Sequence, residues 1–375
     1  MTDQPMSEQE RLAAASWSLL VEHPDPVAGA LVAQLGPAEA LDWVQHVLDG
    51  RIDAGHPRWR QAVDRWAPRL ETLEIRRQLE VLQRLGGELV VPGDTQWPTA
   101  LDDLGFEAPH ALWVRGRLSR APGLAVVGAR SATSYGQRQA ADLAAGAAER
   151  GLAVVSGGAY GIDAAAHRGA LAVDGDTVAV LAGGPDRLYP AGNTRLLEQI
   201  IDTGAVISEY PPGAAPTKHR FLARNRLIAA LGLATVVVEA AWRSGALSTA
   251  AHAAGLSRPV GAVPGPVTSA ASAGCHRLMR EQHAVCVTDA AEAVELCGPI
   301  SASAPREPDS PPSLLDGLAP LESRVLDAMP ARGAADTANL ARVAGVAPAE
   351  VRSALGRLEL AERVERHGSQ WRRAR

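Results

Sequence analysis

From Leu124 onward the chain alternates short, continuous Val/Leu/Ala runs with stretches of helical periodicity. LAVVGAR, LAVVSGG, TVAVLAGG, AVISEY, ATVVVEA and PVGAVPG are the apolar runs, each running into glycine or a polar residue. Runs without polar alternation suit strands covered on both faces, and their alternation with helices predicts a Rossmann-like, doubly wound, mostly parallel sheet of about six strands. Upstream, helical spacing marks ERLAAASWSLL, VAGALVAQL, PAEALDWVQHVL and one long run from Pro68 to Leu85, with HPDP and LGP as turns between them. ELVVP and ALWVRG read as short strands around the turn PGDTQWP. Near the C-terminus, GPISASAPREPDSPPSLLDG has no periodicity and reads as a linker. LESRVLDAM, DTANLARVAGV, APAEVRSALGRLEL and ERVERHGSQWRR then give the order of a winged helix-turn-helix. The expected organisation is a small helical, SAM-like domain over 1–85 and an extended Rossmann-like domain over 86–297. A Pro/Ser-rich linker over 298–317 and a winged-helix domain over 318–375 complete it.

Composition narrows what this architecture does. The 375 residues carry 37 Lys plus Arg against 42 Asp plus Glu, a net charge of -5. Any affinity for a polyanion must therefore come from a local patch. One segment stands out: PTKHRFLARNRLIAAL, residues 216–231, holds the chain's single lysine, Lys218, with His219, Arg220, Arg224 and Arg226. No acidic residue lies between Glu209 and Glu239. Cys275, Cys286 and Cys297 are too widely spaced for a metal knuckle and read as small buried hydrophobes in a reducing compartment. The polar N-terminus has no secretory pattern and no stretch is apolar enough to span a bilayer, so a cytoplasmic protein without membrane contact is expected.

In an open parallel sheet, ligands bind beyond the carboxyl ends of the strands. Those ends are GARSATSYG, SGGAYGID, GGPDRLYPAGN, the basic segment and AAWRSGALST. Their glycines permit tight turns, but several loops add donors or cations: Arg130 and Ser131, Tyr189 and Asn193, Arg243 and Ser244 beside Gly245. A Walker A loop is missing, because Lys218 sits in GAAPTKHR. A GxGxxG fingerprint is missing too, and Ser156, Gly157 and Gly158 occupy the end of the second strand, where a ribose-binding acid would stand. Asp163 and His167 are one helical turn apart, a spacing read here as a helix-end acid and a packed or solvated histidine rather than a catalytic pair. Glu209 and Glu239 end two strands and are expected to orient neighbouring arginines through salt bridges. No nucleophile has an evident base partner. The helix ARNRLIAAL places Arg224, Asn225 and Arg226 in its first turn, where the dipole disfavours cations unless an external anion compensates. With Lys218, Arg220 and a stacking Phe221, this reads as a phosphate seat for an extended anion.

The run from VVGARSATSYG through SGGAYGIDAAAHRGAL, LAGGPDRLYPAGN, SEYPPG, FLARNRLIAAL and VVVEAAWRSGALSTAAHAAGLSRPVGAVPGP resembles the DNA-processing protein A family, also called DprA or Smf. The motifs cover roughly 88–296 in unbroken order. The resemblance implies a dimeric single-stranded DNA binder of natural transformation and recombination that protects incoming DNA and helps load RecA. It implies no catalytic activity and no cofactor, and carries DNA contacts to Arg130, to Ser156, Gly157 and Gly158, and to Arg224, Asn225 and Arg226. The chain departs from the family at Ala191, where a DNA-contacting lysine is common, with Lys218 or Arg187 as its replacement. Leu222 stands for a usual proline, and Cys275-His276 for a small residue and Asn, in a region that the family uses for dimer and RecA contacts. The alternative is a nucleotide-processing enzyme of the phosphoribohydrolase type, suggested by SGGAYGID, although Ala159, Tyr160 and Asp163 depart from the required Gly-Gly-x-Gly-Thr loop with its following Glu. The winged helix has ten Arg against seven acids over 320–375, but Pro348-Ala349-Glu350 opens its recognition helix, which points to a protein partner more than to base readout.

Overall fold

The computed structural model describes residues 6–298, 319–330, 333–361 and 363–374. The chain forms two compact units, Met1–Pro305 and Arg306–Arg375. The first opens with five helices, α1 Glu8–Leu20, α2 Pro26–Leu35, α3 Pro37–Leu48, α4 Pro57–Leu70 and α5 Ile75–Arg84. Side chains set the starts of several: Ser7 caps α1, and Asp25 accepts the amides of Val27 and Ala28 ahead of α2. The expected single run from Pro68 to Leu85 is corrected to two helices. Pro57 opens α4 behind a His56 cap, Pro68 falls in its last turn, and the chain breaks before Ile75. The stretch RWRQAVDRWAPRL buries only Ala62, Val63 and Trp66, too thin a stripe to announce a helix.

The sheet follows. β1 Gly87–Val90 and β2 Leu112–Gly116 pair antiparallel, with a 3-10 segment between them. Then come β3 Gly123–Val127, α6 Ser134–Ala148, β4 Ala153–Ser156, α7 Ile162–Ala172, β5 Thr177–Val180, α8 Thr194–Thr203 and β6 Ala205–Ser208. The chain continues through α9 Lys218–Leu231, β7 Gly232–Val237, α10 Ala246–Gly255, β8 Val260–Ala262, α11 Ala273–Arg280, β9 Val285–Cys286 and α12 Ala290–Glu295. The nine-stranded order is β1-β2-β6-β5-β4-β3-β7-β8-β9. The six runs read from the sequence are β3 to β8, all parallel; β2 joins β6 antiparallel, and the two-residue β9 escapes notice because both its residues are exposed.

Both sheet faces are covered. In β3, Leu124 and Val126 share a core with Ala140 and Leu143 of α6, while Ala125 and Val127 share the other with Leu227 and Ile228 of α9. From β3 the chain winds outward through β4, β5 and β6, then returns to place β7 on the opposite side of β3. The carboxyl ends of β3 and β7 are thus a topological switch point, where loops diverge and leave a crevice.

The helical segment packs onto the antiparallel edge rather than standing apart. Trp113 of β2 is buried with Ala15 and Leu82, and its indole N–H donates to Ser18 Oγ at 3.0 Å. No described helix is long and apolar enough to cross a membrane.

The second unit runs α13 Pro320–Asp327, α14 Thr337–Ala344, α15 Pro348–Leu360, β10 Val364–His367 and β11 Gln370–Arg373, in the order expected of a winged helix. Val325, Leu340, Val351, Leu355 and Leu358 form its core. Gly345, at φ 63°, ends α14 in the left-handed conformation that glycine adopts most readily and turns the chain into α15. Of the linker expected over 298–317, all but Gly298 lies outside the described residues.

Candidate functional site

A cleft of about 690 Å³ opens at the switch point, between the loop after β3, the start of α9 and the loop after β7. Arg130, Lys218, Arg224 and Arg243 bring positive charge to it, Phe221 an aromatic ring, and Asn225, Ser244 and Gly245 part of the wall. Asp163 is the one acid in its lining.

Its floor is a fixed cation. Arg224 is 4% exposed, and its Nη1 donates to the Val180 carbonyl at 2.5 Å. Gly157 makes this possible: a Cβ there would stand 2.0 Å from Arg224 Nη1. Asp163 lies beneath, accepting the amides of Gly157 at 3.2 Å and Ala159 at 3.4 Å. Burial raises the Asp163 carboxyl above its usual range, against the pull of Arg224 and those amides. Burial likewise lowers Arg224 to about 10, with Asp163 opposing and Arg130 adding repulsion, so it stays charged at neutral pH. A guanidinium held this way is desolvated in advance and ready to meet an anion.

Phe221 organises the rim. The Arg130 guanidinium sits 4.6 Å from its ring centroid, Arg224 sits 6.0 Å away, and the Tyr189 ring centroid lies 5.8 Å off. Thr217 caps α9 by accepting the Arg220 amide at 3.2 Å, so the helix begins at Lys218, not near Ala223 as the sequence suggests. Arg224, Asn225 and Arg226 consequently lie beyond the first turn, and the exposed groups at the positive end of the helix are Lys218 and His219. Asn225 Nδ2 donates to the Gly245 carbonyl at 3.2 Å and ties α9 to the loop after β7.

Other predicted residues serve the cleft indirectly or face elsewhere. Ser156 is fully buried and donates to the Val126 carbonyl at 2.6 Å, and Asn193 Nδ2 holds the Gly158 carbonyl at 3.0 Å, so both fix loops. Ser131 is exposed beside Arg130, outside the cleft wall. Arg226 is corrected from a phosphate contact to an internal group: it is 1% exposed and ion-paired with Glu209. Arg220 is held by Glu22 of the helical segment, at 2.6 Å from Nε and 3.0 Å from Nη2, and lies 4.3 Å from the Tyr210 ring centroid. Burial alone would raise the Glu22 carboxyl, but Arg220 and Arg69 outweigh it and hold it below its usual range. Arg187 does not line the cleft, whereas Lys218 does.

The two strand-end glutamates part company. Glu209 orients Arg226 as expected, but Glu239 accepts the Thr133 amide at 2.9 Å and its hydroxyl at 2.6 Å. Both Glu239 oxygens are spent on the N-terminus of α6, which leaves it poorly placed as a general base. His167 is not paired with Asp163: its Nδ1 lies 2.7 Å from the Thr177 hydroxyl, which itself donates to Val154 O, so Nδ1 carries the proton. Burial lowers that imidazole to about 3. Of the cysteines, Cys275 is buried as expected and Cys286 is exposed.

The family model described as DNA recombination-mediator protein A matches residues 88–298, and that of the DprA winged helix domain matches 305–370. A putative DNA processing protein DprA of Mycobacterium tuberculosis H37Rv is 48% identical, covering 96% of this chain and 94% of that protein. The DNA processing protein DprA of Streptococcus pneumoniae R6 is 41% identical over 50% of this chain and 67% of its own length. The X-ray structure of DprA from S. pneumoniae aligns with a TM-score of 0.61 at 29% identity, over 78% of this chain and 98% of that one. A Helicobacter pylori DNA processing protein A, solved for its single-stranded DNA binding mode, aligns at 0.50 and 28% identity, over 56% of this chain and 94% of that one.

Proposed function

The chain belongs to the DNA recombination-mediator protein A family, and from that premise we propose that it binds single-stranded DNA in the cleft at the β3–β7 switch point. One observation carries the reading: a buried, pre-positioned Arg224 lies under a rim of exposed Arg130, Lys218 and Arg243 with the Phe221 ring among them. Phosphates take the place of water around the rim cations, and a base finds the ring. The H. pylori structure, described by its single-stranded DNA binding, supports the same ligand here. Lys218, at the N-terminus of α9, supplies the cation that Ala191 does not. Ser156, Gly158 and Asn193 contribute by shaping loops, and Arg220 and Arg226 by holding α9 in place.

On this reading the protein is a cytoplasmic homodimer of recombination and natural transformation. It shields incoming single strands and helps RecA assemble on them, with no chemistry of its own. The remaining proposal concerns the winged helix, which serves a partner rather than the single strand, so removal of residues 299–375 spares strand binding.

The test is a titration of the full chain with single-stranded and duplex DNA across a salt series. Single strands bind tighter, and each cation removed lowers the log–log salt slope by about 0.7. Arg130→Ala and Lys218→Ala that leave both affinity and slope unchanged would sink the proposed seat. RecA assembly on coated strands, followed with and without the protein, tests the loading role separately.

A further inference from the structure

The loop after β7 does more than wall the cleft. Ser244 N–H bonds to the Ala241 carbonyl at 3.0 Å and closes a turn with Trp242 and Arg243 at its corners. Arg243 points its chemistry into the cleft, while Trp242 stands beside it, 51% exposed. A lone half-exposed apolar side chain needs no explanation, but this one is built in. α11 pins the turn from below: the Gly274 amide donates to the Ala240 carbonyl at 2.7 Å, and a Cβ on Gly274 would meet that oxygen at 2.7 Å. Arg277, one turn further along α11, sits 4.9 Å from the Trp242 ring centroid and donates to its carbonyl at 3.3 Å. One face of the indole is thus backed by a cation, while about half of the residue remains open to solvent.

Its position follows the rim. Tyr189 follows β5, Tyr160 follows β4, Arg130 follows β3 and Trp242 follows β7, and these four strands are neighbours in that order. Tyr160 and Tyr189 are each 47% exposed, and Tyr160 is steadied by the Gly192 amide. With strands about 4.8 Å apart, β5 to β7 spans on the order of 14 Å across the carboxyl ends. A single strand longer than the cleft would extend past its walls, where the exposed Tyr160 and Tyr189 follow the strands on one side and Trp242 the strand on the other. Bases stack on aromatic rings whatever their identity, and a neighbouring guanidinium adds attraction for the phosphates.

We propose that Trp242, backed by Arg277, is a second base-stacking platform outside the cleft, on which the same DNA strand continues past Arg243. This rests on the single-stranded DNA reading above. The occupant is a nucleobase rather than a protein surface because the platform continues a basic cleft and is flanked by Arg243 and Arg277.

The experiment uses the full chain, a long labelled oligothymidylate and one short enough to fill the cleft alone. Trp242→Ala weakens the long oligonucleotide about five- to tenfold, at the low end of base–aromatic stacking. It leaves the short one and the salt slope unchanged, since no charge is lost. Trp242→Phe keeps affinity within about twofold, yet loses the part of the DNA-induced tryptophan quenching seen in the unaltered chain. Equal binding of the long oligonucleotide by the unaltered chain and Trp242→Ala overturns the platform. So does a loss that tracks a change in sedimentation mass, which would assign the ring to self-association. If the unaltered chain fails to bind single strands at all, both this inference and the proposed function fall together.

Discussion

Helix α9 presents arginines to two sides of the molecule, and they meet different fates. Toward the switch point, Arg224 stays beneath an open cleft, its guanidinium bonded to a backbone carbonyl and near only one carboxylate, Asp163. Toward the helical segment, Arg220 and Arg226 are each ion-paired with a carboxylate, Glu22, which also binds Arg69, and Glu209. Basic residues lie on both sides of the helix, but only the first leaves positive charge open to an outside ligand. A basic stretch in a sequence therefore marks candidates, and the available acids decide which of them work as structure and which as site.

Breaking the structural side should have the largest effect. Glu209→Ala leaves Arg226 buried without its partner and should cost about 3–5 kcal/mol in urea unfolding. An equal unfolding midpoint for the variant and the parent would show that the pair is not what holds α9.

Acid probes the same side. His23 and His110, buried with their rings 5.6 Å apart, are lowered to about 3 chiefly by burial. Unfolded histidine binds its proton near pH 6.5, so the unfolded state takes up protons that the native state refuses. Their contribution is complete above about pH 6.5 and fades as pH falls toward 3, each unit costing up to about 1.4 kcal/mol per histidine. Glu209, raised by burial, works in the opposite sense and blunts the loss. Stability measured from pH 7 down to 4 should fall, and should fall less steeply in His110→Phe.

The open side is sharpened by removing its rim. Arg130→Ala or Lys218→Ala should weaken single-strand binding about tenfold, or 1.4 kcal/mol, while stability stays within about 0.5 kcal/mol. A variant that loses stability instead would move that residue to the structural group. The smallest effect belongs to Glu22→Gln: a partly exposed pair is worth about 1 kcal/mol at most, so unfolding shifts slightly and strand binding is not weakened. Weaker binding would mean that Arg220 needs its partner to orient α9 for the cleft.

The sheet was legible because β3 to β8 bury both faces and so spell themselves as unbroken apolar runs. α4 was not, since most of its surface is charged, and β9 was not, since two exposed residues carry no pattern. Within the site, the glycine loops and Arg130, Lys218, Phe221 and Arg224 were readable as a converging set. What could not be read was partnership. Glu22 lies 198 residues from Arg220 in the chain, and Gly157's approach to Arg224 crosses from one strand loop to another helix. Local spacing carries no trace of such pairings, so Arg226 looked as available as Arg224. The start of α9 was misplaced for a smaller reason, the Thr217 cap lying ahead of three basic residues that do not resemble a helix opening.

The bond between Glu22 and Arg220 bears on how the protein can be dissected. A fragment starting near residue 86 would keep the whole sheet yet lose Glu22, Asp25 and the cover over His110, Glu209 and Tyr210. Arg220 would then face solvent unneutralised, and a once-dry pocket of ionisable groups would be wetted. Such a core would be a more basic and more permissive binder on that flank than the intact chain, so affinities measured on it would describe a different molecule.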